Sequence, residues 1–212
     1  GEKLKQQGGE AGEGALDKGG GSSGPGRPGG EYAEASTLSI SNDGLQNIKR
    51  EEGYRDKVYD DATGRHIDSW DDITNSSGHP TIGVGHLIYR KEDRNSSGAA
   101  AKRESGDWSD EKWGDYLEGG SKTMSETEVE ELLAQDIESH TRWKEDITKP
   151  ITQNMFDAIA DFAFNAGNAA PERDGVIGAI NDGNYNAAAT ALRNGPGNPE
   201  RRRKNAEKFL ED

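Results

Sequence analysis

The 212-residue chain has no cysteine, which excludes a disulfide framework, a thiolate nucleophile and a thiolate metal site, and leaves no trace of its redox compartment. No apolar run approaches the roughly 18 residues that a bilayer-spanning helix needs. The opening Gly1-Glu2-Lys3-Leu4-Lys5 also lacks the charged-then-apolar pattern of a secretory signal. Neither membrane insertion nor a secretion signal is expected. Because residue 1 is not Met, Gly1 is expected to be a boundary, left by processing or lying within a longer polypeptide. Basic charge is scarce too, with 26 Lys and Arg against 40 Asp and Glu for a net charge of −14. That balance argues against a protein that holds nucleic acid by phosphate neutralisation, and against docking on anionic lipid.

Large apolar side chains are few: 30% of residues are hydrophobic and 29 are glycine. The shortage is local, since twelve of those glycines fall in residues 1–30. Residues 1–36, with Gly19-Gly20-Gly21-Ser22-Ser23-Gly24-Pro25-Gly26 at their centre, cannot bury enough surface to offset their ordering entropy. They read as a flexible Gly-rich tether, either an appended extension or a linker to another module, ahead of one domain over residues 37–212.

Within that domain Ser41-Asn42-Asp43 offers N-caps ahead of Leu45 and Ile48, for a short helix that ends near Glu52 with Gly53 as its stop. Val58-Tyr59 and Thr81 to His86 read as short strand pieces of a small sheet lobe, about residues 53–90. Residues 91–122 are mostly charged, Gly and Ser, apart from Trp108, Trp113, Tyr116 and Leu117, and read as a surface excursion. Ser125-Glu126-Thr127-Glu128 is a capping box opening a helix through Val129, Leu132, Leu133, Asp136 and Ile137, with Pro150 as its far limit. Gln153 to Ala166 spaces Met155, Phe156, Ile159, Ala160, Phe162 and Ala163 as the core helix of a helical lobe, about residues 123–212. Shorter helices are expected near 176–180, 187–192 and 206–210.

The stretch that carries chemistry is Glu52-Gly53-Tyr54-Arg55, then Tyr59-Asp60-Asp61, Gly64, and Thr81-Ile82-Gly83-Val84-Gly85-His86. A helix-terminal Glu, an Asp nine residues later in a turn, and a Thr on a returning strand can converge on one cleft. These types suit glycoside hydrolysis, which uses one protonated carboxyl to donate to the leaving oxygen and one ionised carboxyl across the sugar plane. By type and spacing alone, in a chain with 40 acidic residues, Glu52 equally reads as a solvated helix end and Asp61 as a turn residue. Gly83 and Gly85 equally read as backbone relief, and His86 as a packed, hydrogen-bonded histidine.

At these residues the sequence resembles the phage-type lysozymes of glycoside hydrolase family 24, whose pattern Glu-Gly-x-Arg, Tyr-x-Asp, Gly, Thr-Ile-Gly-x-Gly-His is present in order. Ser125–His140 is similar to that family's long connecting helix. Phe162-Ala163-Phe164-Asn165-Ala166-Gly167 is similar to its buried core-helix motif, and Arg201-Arg202-Arg203 to its closing basic helix. The resemblance covers about residues 38–212. It implies an α+β, mainly helical, two-lobe fold with a small antiparallel sheet lobe, a long connecting helix and a helical lobe. It also implies a muramidase that needs no cofactor and cleaves bacterial peptidoglycan, with Glu52 as general acid, Asp61 as the carboxylate acting on water and Thr81 as the hydroxyl that positions that water. Arg55, Tyr59 and His86 would support the site, with Arg55 or a nearby cation holding an acidic network; Trp70, Gly83 and Asn165 would meet substrate. A lytic transglycosylase, which would use Glu52 alone, and a silent wall-binding module are the alternatives.

Three features depart from compact members of the family: residues 65–80 enlarge the hairpin, residues 91–122 are added, and Asn194-Gly195-Pro196-Gly197-Asn198 stands where an aromatic helix end is common. In the first of these, His66, Asp68, Asp71, Asp72 and His79 match no metal-ligand spacing, so no metal is expected. Trp70, Trp108 and Trp113 read equally as sugar platforms or loop anchors.

An acidic domain meets the anionic wall against its own field, so delivery is expected from elsewhere, as a free endolysin or as a tail- or injection-device module held through the tether. The site of action is the bacterial cell wall, from the periplasm or the exterior, with virion association for a tail-borne module. Raising ionic strength from about 0.01 M to about 0.1 M shortens the Debye length from about 30 Å to about 10 Å. The hydrolysis rate on whole walls is expected to rise over that range while the rate on uncharged chito-oligosaccharides stays flat. A steep fall on walls would instead reveal a local basic docking surface around Arg201, Arg202, Arg203 and Lys204.

Overall fold

A computed structural model describes residues 28–88, 90, 110–117 and 122–211. Trp108, most of the 91–122 excursion and residues 1–27 of the expected tether lie outside the described residues.

Helix α1 (Asn42–Glu52) starts where the caps place it, with the Ser41 side chain accepting from Gly44 N–H, and ends where Gly53 N–H donates to Lys49 O. Strand β1 (Arg55–Asp60) pairs antiparallel with β2 (Pro80–Gly83), Tyr59 opposite Thr81, and β2 pairs with the short β3 (His86–Leu87). The expected single piece over 81–86 is therefore a hairpin. Its turn includes Gly83 and Gly85 at φ of 61° and 70°, a left-handed backbone region that side chains with a Cβ disfavour.

Between β1 and β2 the insertion folds into a short helix, α2 (Trp70–Thr74), capped by Ser69. Ile67 and Ile73 are buried in the common core, so this segment is a plugged extension of the sheet lobe. Part of the charged excursion also belongs to the core. Helix α3 (Asp110–Leu117) buries Trp113, Tyr116 and Leu117, and Trp113 lies 5.6 Å from the His86 ring, so Trp113 is a core residue, not a sugar platform. The spacing i, i+3, i+4 of those three residues carried the signal.

The capping box at Ser125 and Glu128 opens α4 (Glu126–Ser139). This helix stops at His140, well before Pro150, and a separate 3-10 turn follows at Arg142–Asp146. The core helix α5 (Gln153–Ala166) is surrounded by α6 (Ala170–Arg173), α7 (Val176–Asn181), α8 (Tyr185–Asn194) and α9 (Pro199–Leu210). The last begins seven residues earlier than its apolar spacing implies, because Asn198 caps it and Pro199 suits its first turn. The result is the mainly helical α+β architecture with one small antiparallel sheet. Among the described residues no helix is long and apolar enough to cross a membrane.

The expected tether ends earlier than residue 36. Ala33 and Ile151 exchange two backbone hydrogen bonds of 2.9 Å, Tyr32 packs edge-on against Tyr185 at 5.9 Å, and Ala35 is buried. Removing the two exchanged bonds alone is expected to cost roughly 2 kcal/mol. A truncation starting at Leu38 should therefore melt roughly 4–8 °C below one starting at Pro28. Equal melting temperatures would show that this segment contributes nothing to the fold.

Candidate active site

Glu52, the last residue of α1, lines a cleft of about 600 Å³ together with Tyr54, Arg55, Tyr59, Gly83, Val84, Gly85 and Phe164. Its position is set from the far end of the chain. Arg201, in the first turn of α9, donates from Nη1 to Glu52 Oε1 at 2.5 Å and from Nη2 to Asp161 Oδ1 at 2.7 Å. Arg201 Nε also reaches both oxygens of Asp161 at 3.2 Å, and Asn205 donates to the same carboxylate. Asp161 is 2% exposed, so Arg201 compensates a charge that burial alone would make costly. Burial works against the charge of Arg201 itself. The hydrogen bonds and charge of Asp161, then those of Glu52, outweigh it and raise its pKa above the usual arginine value. Arg201 is therefore a permanent cation.

The other end of α1 is tied to the same core helix. Asp157, one turn before Asp161, accepts from Ser41 N at 3.0 Å and from the Ser41 hydroxyl. Both carboxylates on the apolar helix α5 thus hold α1 and its terminal Glu52 in place. Asp157, Asp161 and Asn205 belong to no motif legible in the sequence; two acidic residues on the buried face of a core helix are the available signal.

The rest of the closing helix is equally committed. Arg202 is fully buried, donates to Asn165 Oδ1 at 3.0 Å and lies over the Phe162 ring at 4.8 Å. Arg203 pairs with Glu200 and Glu207, and Lys204 with Glu51. These four cations are engaged within the fold and do not form a free basic surface.

Among the expected supports, Arg55 lies 4.7 Å above the Tyr59 ring and donates to Gly64 O at 2.8 Å, bracing the hairpin, while Arg201 is the cation that holds the acidic network. Burial pushes the Tyr59 phenol up, with Arg55 opposing and Asp61 adding to the shift. Its hydroxyl therefore stays protonated at neutral pH and can serve only as a hydrogen-bonding group. His86 is placed elsewhere: its Nδ1 is 2.9 Å from both oxygens of Asp136. It joins β3 to α4 and lines an adjoining cavity of about 560 Å³ that shares Val84, Gly85 and Phe164 with the first.

Asp61 and Thr81 lie outside the residues lining the first cleft. Asp61 occupies the turn after β1 with an exposed carboxylate whose Oδ1 accepts from His79 N–H at 2.7 Å. Thr81 faces the same side of the sheet as its partner Tyr59 but is buried, donating to His79 O at 3.2 Å. Of the three expected substrate contacts only Gly83 lines the cleft. Trp70 packs half-buried against the core of the insertion, and the Asn165 carbonyl is taken by Arg202. Tyr54, not singled out from sequence as a contact, presents an aromatic ring that is 45% exposed at the cleft. Among the described residues no group of three or more His, Cys, Asp or Glu is placed to hold a metal ion.

A sheet lobe and a helical lobe meeting at a cleft that presents a helix-terminal glutamate define a lysozyme-like glycoside hydrolase. The chain belongs to the phage lysozyme family, whose model matches residues 49–204. The endolysin of Salmonella phage P22 is 31% identical over 160 residues, which are 73% of this chain and 82% of that protein. The structure of a P22 lysozyme mutant is similar with a TM-score of 0.54 and 28% identity, over 82% of this chain and 99% of that one. The muramidase domain of SpmX from Asticaccaulis excentricus shares the fold at a TM-score of 0.52 and 23% identity, over 82% of this chain and 99% of that one. The protein is a lysozyme-type glycoside hydrolase acting on the peptidoglycan of the bacterial cell wall.

Arg201→Ala leaves Asp161 buried without its cation and is expected to cost about 3–5 kcal/mol, a fall in melting temperature of roughly 6–20 °C. Arg201→Lys should recover only part of this, because a point charge cannot bridge both carboxylates as a planar fork does. Thermal denaturation followed by circular dichroism checks both. A loss below about 1 kcal/mol for Arg201→Ala would place the anchor of α1 elsewhere.

Proposed function

We propose that this protein is a muramidase that cleaves the glycan strand between N-acetylmuramic acid and N-acetylglucosamine with inversion at the anomeric carbon. The observation that carries the reading is Glu52, held at the cleft by a buried arginine that also answers to Asp161. Glu52 accepts from Arg201 on Oε1, and the proton of its acid form, carried on Oε2, goes to the glycosidic oxygen as the bond from that oxygen to C1 breaks. A water attacks C1 from the opposite face of the ring, and its proton passes to Asp61. The Thr81 hydroxyl donates to His79 O, which leaves its oxygen lone pairs to accept the water's second hydrogen. Two hydrogen bonds to the water then leave one of its lone pairs aimed at C1.

Tyr54 and Phe164 offer apolar ring surface to sugars in the cleft. Attachment through the N-terminal segment to a larger tail or injection device would raise local concentration at a wall that repels the domain's charge.

Glu52→Gln should keep the fold, since amide and carboxyl are nearly the same size, and lose several orders of magnitude in wall lysis. A folded mutant that clears turbid wall suspensions at near-normal rate would overturn the role of Glu52. Asp61→Asn should abolish most hydrolysis and be far more damaging to activity than the neighbouring Asp60→Asn; the reverse order would overturn the role of Asp61. NMR of fresh products should show the α-anomer at the new reducing end. A product with a 1,6-anhydro ring, found by mass spectrometry, would establish transglycosylation instead.

A further inference from the structure

The insertion between β1 and β2 ends on two adjacent carboxylates. Asp60 is 4% exposed, and its oxygens accept three backbone N–H groups: Ala62 at 2.9 Å and Gly78 at 2.8 Å on Oδ1, and Ser77 at 2.8 Å on Oδ2. Burial alone would raise the Asp60 pKa, but these amides, of Ser77, Ala62 and Gly78, and the Thr63 hydroxyl outweigh it and lower it. The next amide in line, His79 N–H, goes to Asp61 Oδ1 at 2.7 Å, while Asp61 N–H returns to His79 O at 3.1 Å. Three consecutive amides at the end of the insertion are thus divided between two consecutive aspartates.

The fit leaves no room for a side chain at the middle amide. A Cβ on Gly78 would stand 2.6 Å from both Asp60 Oδ1 and Ala62 N, and closer still to Asp61 Oδ1. The insertion is also fastened at its other end, by Ile67 N–H to Val58 O at 2.9 Å and by the buried Ile67 and Ile73. A donor carried on so constrained a segment has a fixed position.

We propose that the insertion is a positioning element for the reaction. Its His79 backbone N–H holds Asp61 Oδ1, so that Oδ2, which has no hydrogen-bond partner among the described residues, is the oxygen presented to the water. Asp60 and Gly78 are positioning residues that bring this amide to Asp61. The inference rests on Asp61 being the carboxylate that acts on water. It assigns to an added segment, absent from compact members of the family, a share in orienting the base. A misplaced base lowers the rate of the chemical step while leaving substrate affinity in place.

The decisive variant replaces residue 79 by the α-hydroxy acid of histidine, which converts the peptide N–H into an ester oxygen and keeps every side chain. On a defined soluble glycan oligomer, kcat should fall roughly 10- to 100-fold with KM within about twofold of the parent. Gly78→Ala should show the same split or a larger one, and His79→Ala, which keeps the amide, should retain kcat within about twofold. If Gly78→Ala does not fold, the ester variant alone decides. An ester variant with parental kcat, beside an inactive Asp61→Asn, overturns the positioning role and leaves the role of Asp61 intact. An active Asp61→Asn overturns the role of Asp61 itself. A rise in KM without a fall in kcat moves the insertion to substrate binding, and an equal loss in His79→Ala moves the effect to the imidazole. Either result overturns the proposal.

Discussion

The structure depends on one arginine. Arg201 is asked to neutralise a carboxylate buried in the core helix and, with the same guanidinium, to hold the glutamate at the cleft. Only a planar, permanently charged fork can satisfy two carboxylates along different edges. Burial favours this arrangement as a unit and penalises it when any member is missing, since an unpaired charge in the interior is far costlier than an unpaired one at the surface. Helix α1 is held at its first residues by Asp157 and at its last by Arg201, so the orientation of Glu52 is inherited from the helical lobe.

The sheet lobe is organised by the same economy of charge at smaller scale. Asp60 gathers backbone amides from both sides of the insertion, and that leaves the neighbouring Asp61 exposed and bound by a single amide. Adjacent carboxylates are thereby separated in environment, one absorbed into the scaffold and one turned to solvent. Two residues of the same type, side by side in sequence, acquire different uses because one ends the strand among backbone amides and the next opens the turn toward solvent.

Engagement of the closing helix also bears on how the enzyme meets its substrate. A run of three arginines and a lysine would read as a docking surface for an anionic wall, yet each pairs within the fold. The net charge of −14 is therefore not offset by a free basic surface on this segment, and an anionic wall would be approached against the domain's own field.

What the sequence by itself determined was everything with a local cause. The caps at Ser41 and Ser125, the apolar period of α5 and the ordered motif from Glu52 to His86 are short-range signals, and each element stands close to its expected place. Tertiary structure decided where distant residues meet. Arg201 lies 149 residues from Glu52 and 40 from Asp161, and no periodicity encodes such a meeting. It also decided that Trp113 is core, that Asn165 serves Arg202, and that residues 28–36 pair with Ile151 and pack on Tyr185 instead of hanging free. In each case the deciding energy is burial or charge compensation, which depends on what surrounds a side chain after the chain has closed and not on its neighbours along it.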